Sequence, residues 1–147
     1  MANASVPKEV AEWLRQNWIP LKFGQSFTSG PCRFSSGGTT KFSAVSLDRK
    51  IVAAISTGGA TTAAGKPGVG KRAAILAQIL FLVMAETERR LVILTEKSML
   101  DWCNQESRGG RMPLNVEFHL ADLPDELRLR LDVSKKTASR EVSPSSR

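Results

Sequence analysis

The chain has 147 residues, 41% hydrophobic and 24% charged, which is enough for one globular domain with a core but too little for two. Lys and Arg total 21 against 14 Asp and Glu, and the resulting net charge of +7 favours a polyanionic partner. The two cysteines, Cys32 and Cys103, form no CxxC pair, so neither a zinc site nor a disulfide framework is expected. Together these features predict a reduced, cytoplasmic setting.

Neither a secretory signal nor a membrane span is predicted. Charged residues occur throughout the first thirty positions, where a signal peptide would need an apolar segment. The longest apolar run, residues 73–85, is interrupted only by Gln78 and is shorter than the roughly 20 residues that cross a bilayer. We therefore expect no membrane partner and interpret this run as a buried helix.

The first part of the chain predicts one helix followed by antiparallel strands. Val10, Trp13 and Leu14 lie at helical spacing after Pro7, which indicates an amphipathic helix ending before Pro20. Residues 21–27 predict a short strand, and the Ser-, Gly- and Pro-rich residues 28–40 predict a loop or an irregular hairpin connection. Residues 41–46 and 51–55 then predict a hairpin with its turn at residues 47–50.

The second part alternates helices with strands. Residues 71 to about 86 predict a helix that is apolar almost all round and therefore covered on more than one side. Residues 90–95 predict a strand buried on both faces, 97–108 a helix, 116–120 a fifth strand and 125–131 a short charged helix. Residues 136–147 predict a disordered basic Ser/Pro tail, which leaves residues 1–135 as a single α/β domain.

The loop before the long helix has the composition of a phosphate-binding segment, because residues 65–72 read Gly-Lys-Pro-Gly-Val-Gly-Lys-Arg. Glycines let backbone amides approach an anion, and a helix start adds free N–H groups. The residues predicted to contact phosphate carry hydroxyls, open amides or positive charge; they are Thr57, Thr61, Thr62, Lys66, Gly68, Gly70, Lys71 and Arg72, with Lys41 on the neighbouring hairpin. Such groups contact a nucleic-acid backbone without reading bases, so nucleic acid, DNA first, is the expected partner.

Two other interpretations of this loop stay open. Gly65, Gly70 and Lys71 match a Walker A nucleotide-binding loop, but Arg72 stands where a Ser or Thr would ligate Mg²⁺. The loop is also compatible with a flexible connection whose cations form a solvated rim. The first alternative is a degenerate P-loop, and the second assigns the loop no ligand.

The predicted order of elements is helix, three strands, helix, strand, helix, strand, which gives an α/β fold with a mixed sheet flanked by helices. Over about residues 5–120 this order resembles the PD-(D/E)XK, or restriction-endonuclease-like, nucleases, whose core is helix-strand-strand-strand-helix-strand. The resemblance implies a nucleic-acid-binding protein, with metal-dependent hydrolysis of DNA phosphodiesters as its activity. A homodimer is a common form of such nucleases.

The resemblance also implies a site, because that family holds one or two divalent metals with an acid on the second strand and an acid-x-Lys triplet on the third. In this chain Ser43 occupies the position of the first acid on the second strand. The third strand ends in Ile55, Ser56 and Thr57, which supply neither a carboxylate nor a lysine. The motif is therefore degenerate or missing.

Three residues are the candidates for a displaced catalytic site. Asp48 would bind Mg²⁺ from the hairpin, Glu12 would act from the first helix, and Lys71 would replace the strand lysine. The competing interpretation of Asp48 is a turn residue, since Asp favours turns. If no metal site exists, the remaining functions are a non-catalytic nucleic-acid-binding module or an interaction module for an acidic protein partner on the same fold.

Overall fold

A five-stranded mixed sheet forms the centre of the computed structural model, which describes residues 5–142 and, within them, the side chains as far as residue 138. The strands are β1 (Phe27–Arg33), β2 (Thr39–Ser46), β3 (Ile51–Ser56), β4 (Arg89–Leu94) and β5 (Val116–Leu120), and they lie side by side in that order. Antiparallel pairs join β1 to β2 and β2 to β3, whereas β3, β4 and β5 are parallel. Of these five strands, only β2 therefore runs opposite to the others.

Helices cover both faces of this sheet. They are α1 (Ser5–Trp13), a π-helical turn (Leu14–Trp18), α2 (Ile19–Phe23), α3 (Val69–Met84), α4 (Lys97–Arg108) and α5 (Asp125–Val142). One face packs against α3 and α4 through Ile75, Leu82 and Met99. The other face packs against α1 and α5 through Val10 and Leu131. The order of elements predicted from the sequence is thus confirmed, as is the mixed sheet between helices.

The central strand β4 shows how the two layers are built. Leu91 and Ile93 point into the core beneath α1 and α5, while Val92 and Leu94 point into the core beneath α3 and α4. All four are fully buried, and burying such a side chain contributes about 1.5–3 kcal/mol. The prediction of a strand buried on both faces is confirmed.

The predicted end of the first helix before Pro20 is wrong, because the helical path continues to Phe23. Pro20 is the second residue of α2, and because the π-turn before it is helical too, its missing N–H interrupts an otherwise continuous helical hydrogen-bond ladder. The preceding π-turn, in which the Ile19 N–H donates to the Leu14 carbonyl, makes room for the proline ring. Gly24 then ends α2 in the left-handed conformation at φ 75°.

The strand predicted at residues 21–27 and the loop predicted at 28–40 are also wrong, because β1 covers Phe27–Arg33. Gly30 and Pro31 lower strand propensity, but an edge strand tolerates them because one side of its backbone needs no partner. The turn to β2 closes where the Phe34 N–H donates to the Gly38 carbonyl at 2.8 Å.

The last helix is longer than predicted. The sequence placed its end at residue 131 and a disordered tail from 136, whereas α5 continues to Val142. Arg128, Leu131 and Lys135 fall on one face of this helix, where Leu131 is buried and the two cations bond Glu96. This anchoring stabilises helical structure in a segment whose composition alone suggests a disordered tail. Residues 143–147, the rest of the predicted tail, lie outside the described residues.

Candidate nucleic-acid interface

An irregularity in β2 shapes the surface beside α1. Between Thr28 and Gly30 the pairing with β2 shifts, so that Ser43 and Ala44 together oppose the single residue Ser29. An extra residue of this kind is a β-bulge, which interrupts the ladder and turns nearby groups outward. The bulge contains Ser43, the serine that the sequence puts on the second strand where an acid was sought.

Ser43 connects the bulge to its neighbours on both sides. Its hydroxyl oxygen accepts a hydrogen bond from the backbone N–H of Ile55 at 3.1 Å, in place of a ladder carbonyl. Its own carbonyl accepts a hydrogen bond from Nε of Arg15 at 2.6 Å. Ser43 therefore fixes the arginine of the π-turn against β2, over a separation of 28 residues in sequence.

A cleft of about 460 Å³ opens beside the bulge, between α1, β1 and β2. Three cations and one carboxylate contribute to its walls; the lining residues are Lys8, Ala11, Glu12, Arg15, Ser29, Lys41, Phe42 and Ser43. Lys8 and Lys41 are exposed, and neither forms an ion pair with the side chains described, those of residues 5–138. We call it the basic cleft, since its positive charge is largely unmatched.

The loop predicted to bind phosphate folds into a small hairpin. Thr61 pairs with Pro67, and the Thr62 N–H donates to the Lys66 carbonyl at 2.8 Å. Gly65, at the tip, has a φ of 78°, which glycine adopts without strain. The backbone amides of this hairpin bond its own acceptors, whereas a Walker A loop needs such amides free for phosphate, so the geometry does not favour a P-loop.

Two residues of the predicted phosphate site have structural contacts. Gly68 is buried, and a Cβ at this position would lie 3.1 Å from the carbonyl oxygen of Ala60, so a side chain here would crowd that carbonyl. Arg72 donates from Nε to that same carbonyl at 3.0 Å, and its guanidinium lies 5.2 Å from the ring centre of Trp102. Arg72 thus braces the loop against α4.

The remaining predicted residues of this loop lie toward solvent. Lys66 and Lys71 are exposed and form no ion pair in the described part of the chain. The stem of Lys71 lies over Gly58, at whose position a Cβ would come 3.0 Å from Cδ of the lysine. Thr61, Thr62 and Gly70 are exposed, and Thr57 is partly buried.

The loop and the basic cleft lie at the same end of the sheet, where β2 begins and β3 ends. Since β2 and β3 are antiparallel, the start of β2, which carries Lys41, lies beside the end of β3, from which Thr57 leads into the loop. At this end the cleft opens on the sheet face that α1 covers, and the loop leads to α3 on the opposite face.

The three candidates for a catalytic site are not brought together. Asp48 occupies the turn after β2, at the opposite end of the hairpin from Lys41, and its carboxylate accepts hydrogen bonds from the Lys50 N–H at 2.9 Å and the Ser46 hydroxyl at 2.7 Å. These bonds, the backbone bond from Lys50 first, lower the pKa of Asp48. Glu12 lines the basic cleft and Lys71 lies in the first turn of α3.

These positions do not fit a shared Mg²⁺ site, since Mg²⁺ prefers several oxygen ligands around one point. Among the side chains of residues 5–138, no three from His, Cys, Asp or Glu are grouped so that they could hold a metal ion. The catalytic and Mg²⁺ assignments of Asp48 therefore stay predictions.

Sequence reasoning missed Lys8, Arg15 and the two serines of the basic cleft. The sequence does contain a signal for the α1 side of the basic cleft. Lys8, Glu12 and Arg15 follow one another at four- and three-residue spacing, which puts them on one side of the first helix. The contribution of Ser29 and Ser43 depends on the bulge, which has no local signature.

A second cleft, of about 340 Å³, lies at the carboxyl ends of β4 and β5. Here Glu96 accepts hydrogen bonds from Arg128 at 2.7 Å and from the Thr95 hydroxyl at 2.9 Å, and it pairs with Lys135 at 2.9 Å. Burial alone would raise the pKa of Glu96, but the bonds from Arg128 and Lys135 lower it below its usual value. We call this the paired cleft, because its carboxylate Glu96 is paired with two cations.

Comparisons with protein-family models, with curated proteins and with solved structures found no match to this chain. Within residues 5–142, no helix has both the length and the apolar character needed to span a membrane.

Proposed function

We propose that the protein binds the phosphate backbone of a nucleic acid at the end of the sheet where the basic cleft and the loop of residues 57–72 lie. The observation that carries this proposal is the convergence of Lys8, Arg15 and Lys41 on one cleft that holds a single carboxylate. Unmatched cations on a shaped surface raise the local concentration of a polyanion and release its counterions on binding. The hydroxyls of Ser29 and Ser43 add donors for phosphate oxygens.

The order of elements supports the proposal, because it is the order that the resemblance to restriction-endonuclease-like nucleases implies. The chemistry of the cleft favours binding over metal-dependent hydrolysis. Catalysis by that mechanism requires several carboxylates around the metal, and Glu12 is the one acid among the lining residues. DNA is the polymer we place first, and RNA of the same length is a competitor to be tested.

The experiment is fluorescence anisotropy of a labelled DNA duplex across a salt series, with the Lys8→Ala/Lys41→Ala double variant beside the native protein. We expect the double variant to bind about tenfold more weakly and the salt slope to fall by about 0.9 for each phosphate that the variant no longer neutralises. Both lysines are exposed, so the fold should be unaffected.

The matched control is Lys50→Ala/Lys97→Ala, which removes the same charge from two exposed lysines that pair with Glu88 and Asp101. Its affinity should stay within about twofold of the native value. Equal losses in the two double variants would mean that only the overall charge matters, and absence of binding at low salt would overturn the proposal. Cleavage of the DNA in parallel samples with Mg²⁺ would instead restore the phosphodiesterase hypothesis.

A further inference from the structure

The outward side of α3 is apolar and uncovered. Val69 is 73% exposed, Leu80 57%, Leu76 46% and Val83 38%. From residue 73 to residue 85 the only polar side chain is Gln78. The sequence predicted a helix covered on more than one side, but within residues 5–142 the chain buries only the side that carries Ile75, Ile79 and Leu82. A surface helix of a monomer normally carries polar residues on its outward side.

The exposed side chains follow the spacing of a helix–helix seam. Residues 69, 73, 76, 80 and 83 are separated by four, three, four and three positions, which is the heptad pattern that faces a partner helix. Ala73 within this pattern and Ala77 next to it are small, which allows a second helix to approach closely. We call these five residues and Ala77 the α3 seam.

We propose that a second copy of this chain covers the α3 seam, with the two α3 helices antiparallel about a twofold axis near the middle of the seam. The seam is self-complementary in this direction. Val69 of one copy faces Val83 of the other, and between them the alanines of one copy face the leucines of the other. A twofold contact of this kind uses the same patch on both copies and closes without further growth.

The charges at the two ends of α3 select the antiparallel direction. Lys66 precedes α3, Lys71 lies in its first turn, and Glu86 follows the last turn. Within the described residues, none of these three side chains forms an ion pair. Arg90, the cation at the last turn, is already engaged with the Leu82 and Ala85 carbonyls. Antiparallel packing brings the basic end of one copy to the acidic end of the other, whereas parallel packing would place the lysines together.

The first test is sedimentation velocity over a range of protein concentrations. The native chain should sediment as a dimer in the micromolar range and Leu80→Glu as a monomer, because the charge would be buried against the second copy. Leu114→Glu is the matched control, since Leu114 is fully exposed outside α3. Circular dichroism checks that both variants are folded. A native monomer at all concentrations, or dissociation by both substitutions, would overturn the proposal.

The second test uses disulfide trapping to check the direction. Ala77→Cys, near the twofold axis, should crosslink two copies under mild oxidation, while Val69→Cys should not. Residue 69 lies eight residues from residue 77, or about 12 Å along the helix at about 1.5 Å per residue. The two copies of residue 69 lie on opposite sides of the axis and are therefore roughly 24 Å apart, whereas a disulfide needs Cα atoms within about 7 Å. The native Cys32 and Cys103 are buried and do not compete. A Val69→Cys crosslink, or a dimer that Ala77→Cys fails to crosslink, contradicts the antiparallel arrangement.

Discussion

The basic cleft and the paired cleft both gather charged side chains at the sheet, and they differ in what each charge contacts. In the paired cleft, Glu96 is bonded to Arg128 and Lys135, which ties α5 to the end of β4. In the basic cleft, Lys8 and Lys41 have no acidic partner in the described part of the chain. Matched charges hold the fold together, whereas unmatched charges remain available to a partner.

This difference has an energetic basis. Removing one member of a partly buried ion cluster leaves the other members desolvated and uncompensated, which destabilises the folded state. An exposed cation without a partner contributes little to folding, and neighbouring cations repel each other weakly through water. Neutralising one charged side chain should therefore destabilise the fold in the paired cleft and have almost no effect on stability in the basic cleft.

The largest expected effect is in the paired cleft. Glu96→Gln should lower the free energy of unfolding by about 3 kcal/mol, because Arg128 and Lys135 lose their common carboxylate. Urea unfolding followed by circular dichroism measures the change. The control is Asp101→Asn, whose exposed pair with Lys97 should contribute only about 0.5 kcal/mol. Similar values for the two variants would remove the energetic distinction between the clefts.

A smaller effect is expected on acidification. Because the folded pKa of Glu96 lies below its ordinary value of 4.5, the stability it contributes is present above pH 4.5 and is lost as the pH falls through the lower folded pKa. Urea midpoints between pH 7 and pH 3 should therefore fall less steeply in Glu96→Gln than in the native protein. Other carboxylates titrate in both proteins and cancel in the comparison. Parallel curves would show that Glu96 does not titrate with unfolding.

The smallest expected effect is in the basic cleft. Lys41→Met should leave the free energy of unfolding within about 0.5 kcal/mol of the native value, with any gain at low salt disappearing at high salt. The reason is that Lys41 shares the cleft with Lys8 and Arg15, so its removal relieves repulsion and breaks no ion pair. Urea unfolding at two salt concentrations measures this. A loss above about 1 kcal/mol would mean that Lys41 is structural and that the two clefts do not differ in kind.

The order of the elements could be predicted from the sequence because it depends on local periodicity, as in the hairpin of β2 and β3 and the doubly buried β4. The bulge and the contact of Arg15 with Ser43 could not, because the two residues are 28 positions apart. The length of α5 was missed for the same reason, since its anchor, Glu96, lies on another element.

The candidate site was predicted only in part. Composition predicted a glycine- and lysine-rich loop, and in the structure Lys66 and Lys71 lie exposed there. Composition could not show that Gly68 lies close against the Ala60 carbonyl or that Arg72 is engaged with α4. Such roles depend on which atoms meet after folding, and a glycine that admits a phosphate has the same sequence signature as one that admits a carbonyl.

The brace made by Arg72 also supplies an optical probe. Its guanidinium stacks on Trp102 while it bonds the loop at Ala60, and the Ala60 N–H in turn donates to the Ser98 hydroxyl at the start of α4. A polyanion that attracts Arg72 away from this position would change the surroundings of the indole ring. In a variant whose Trp13 and Trp18 are replaced, the emission of Trp102 therefore reports on the loop without any added label.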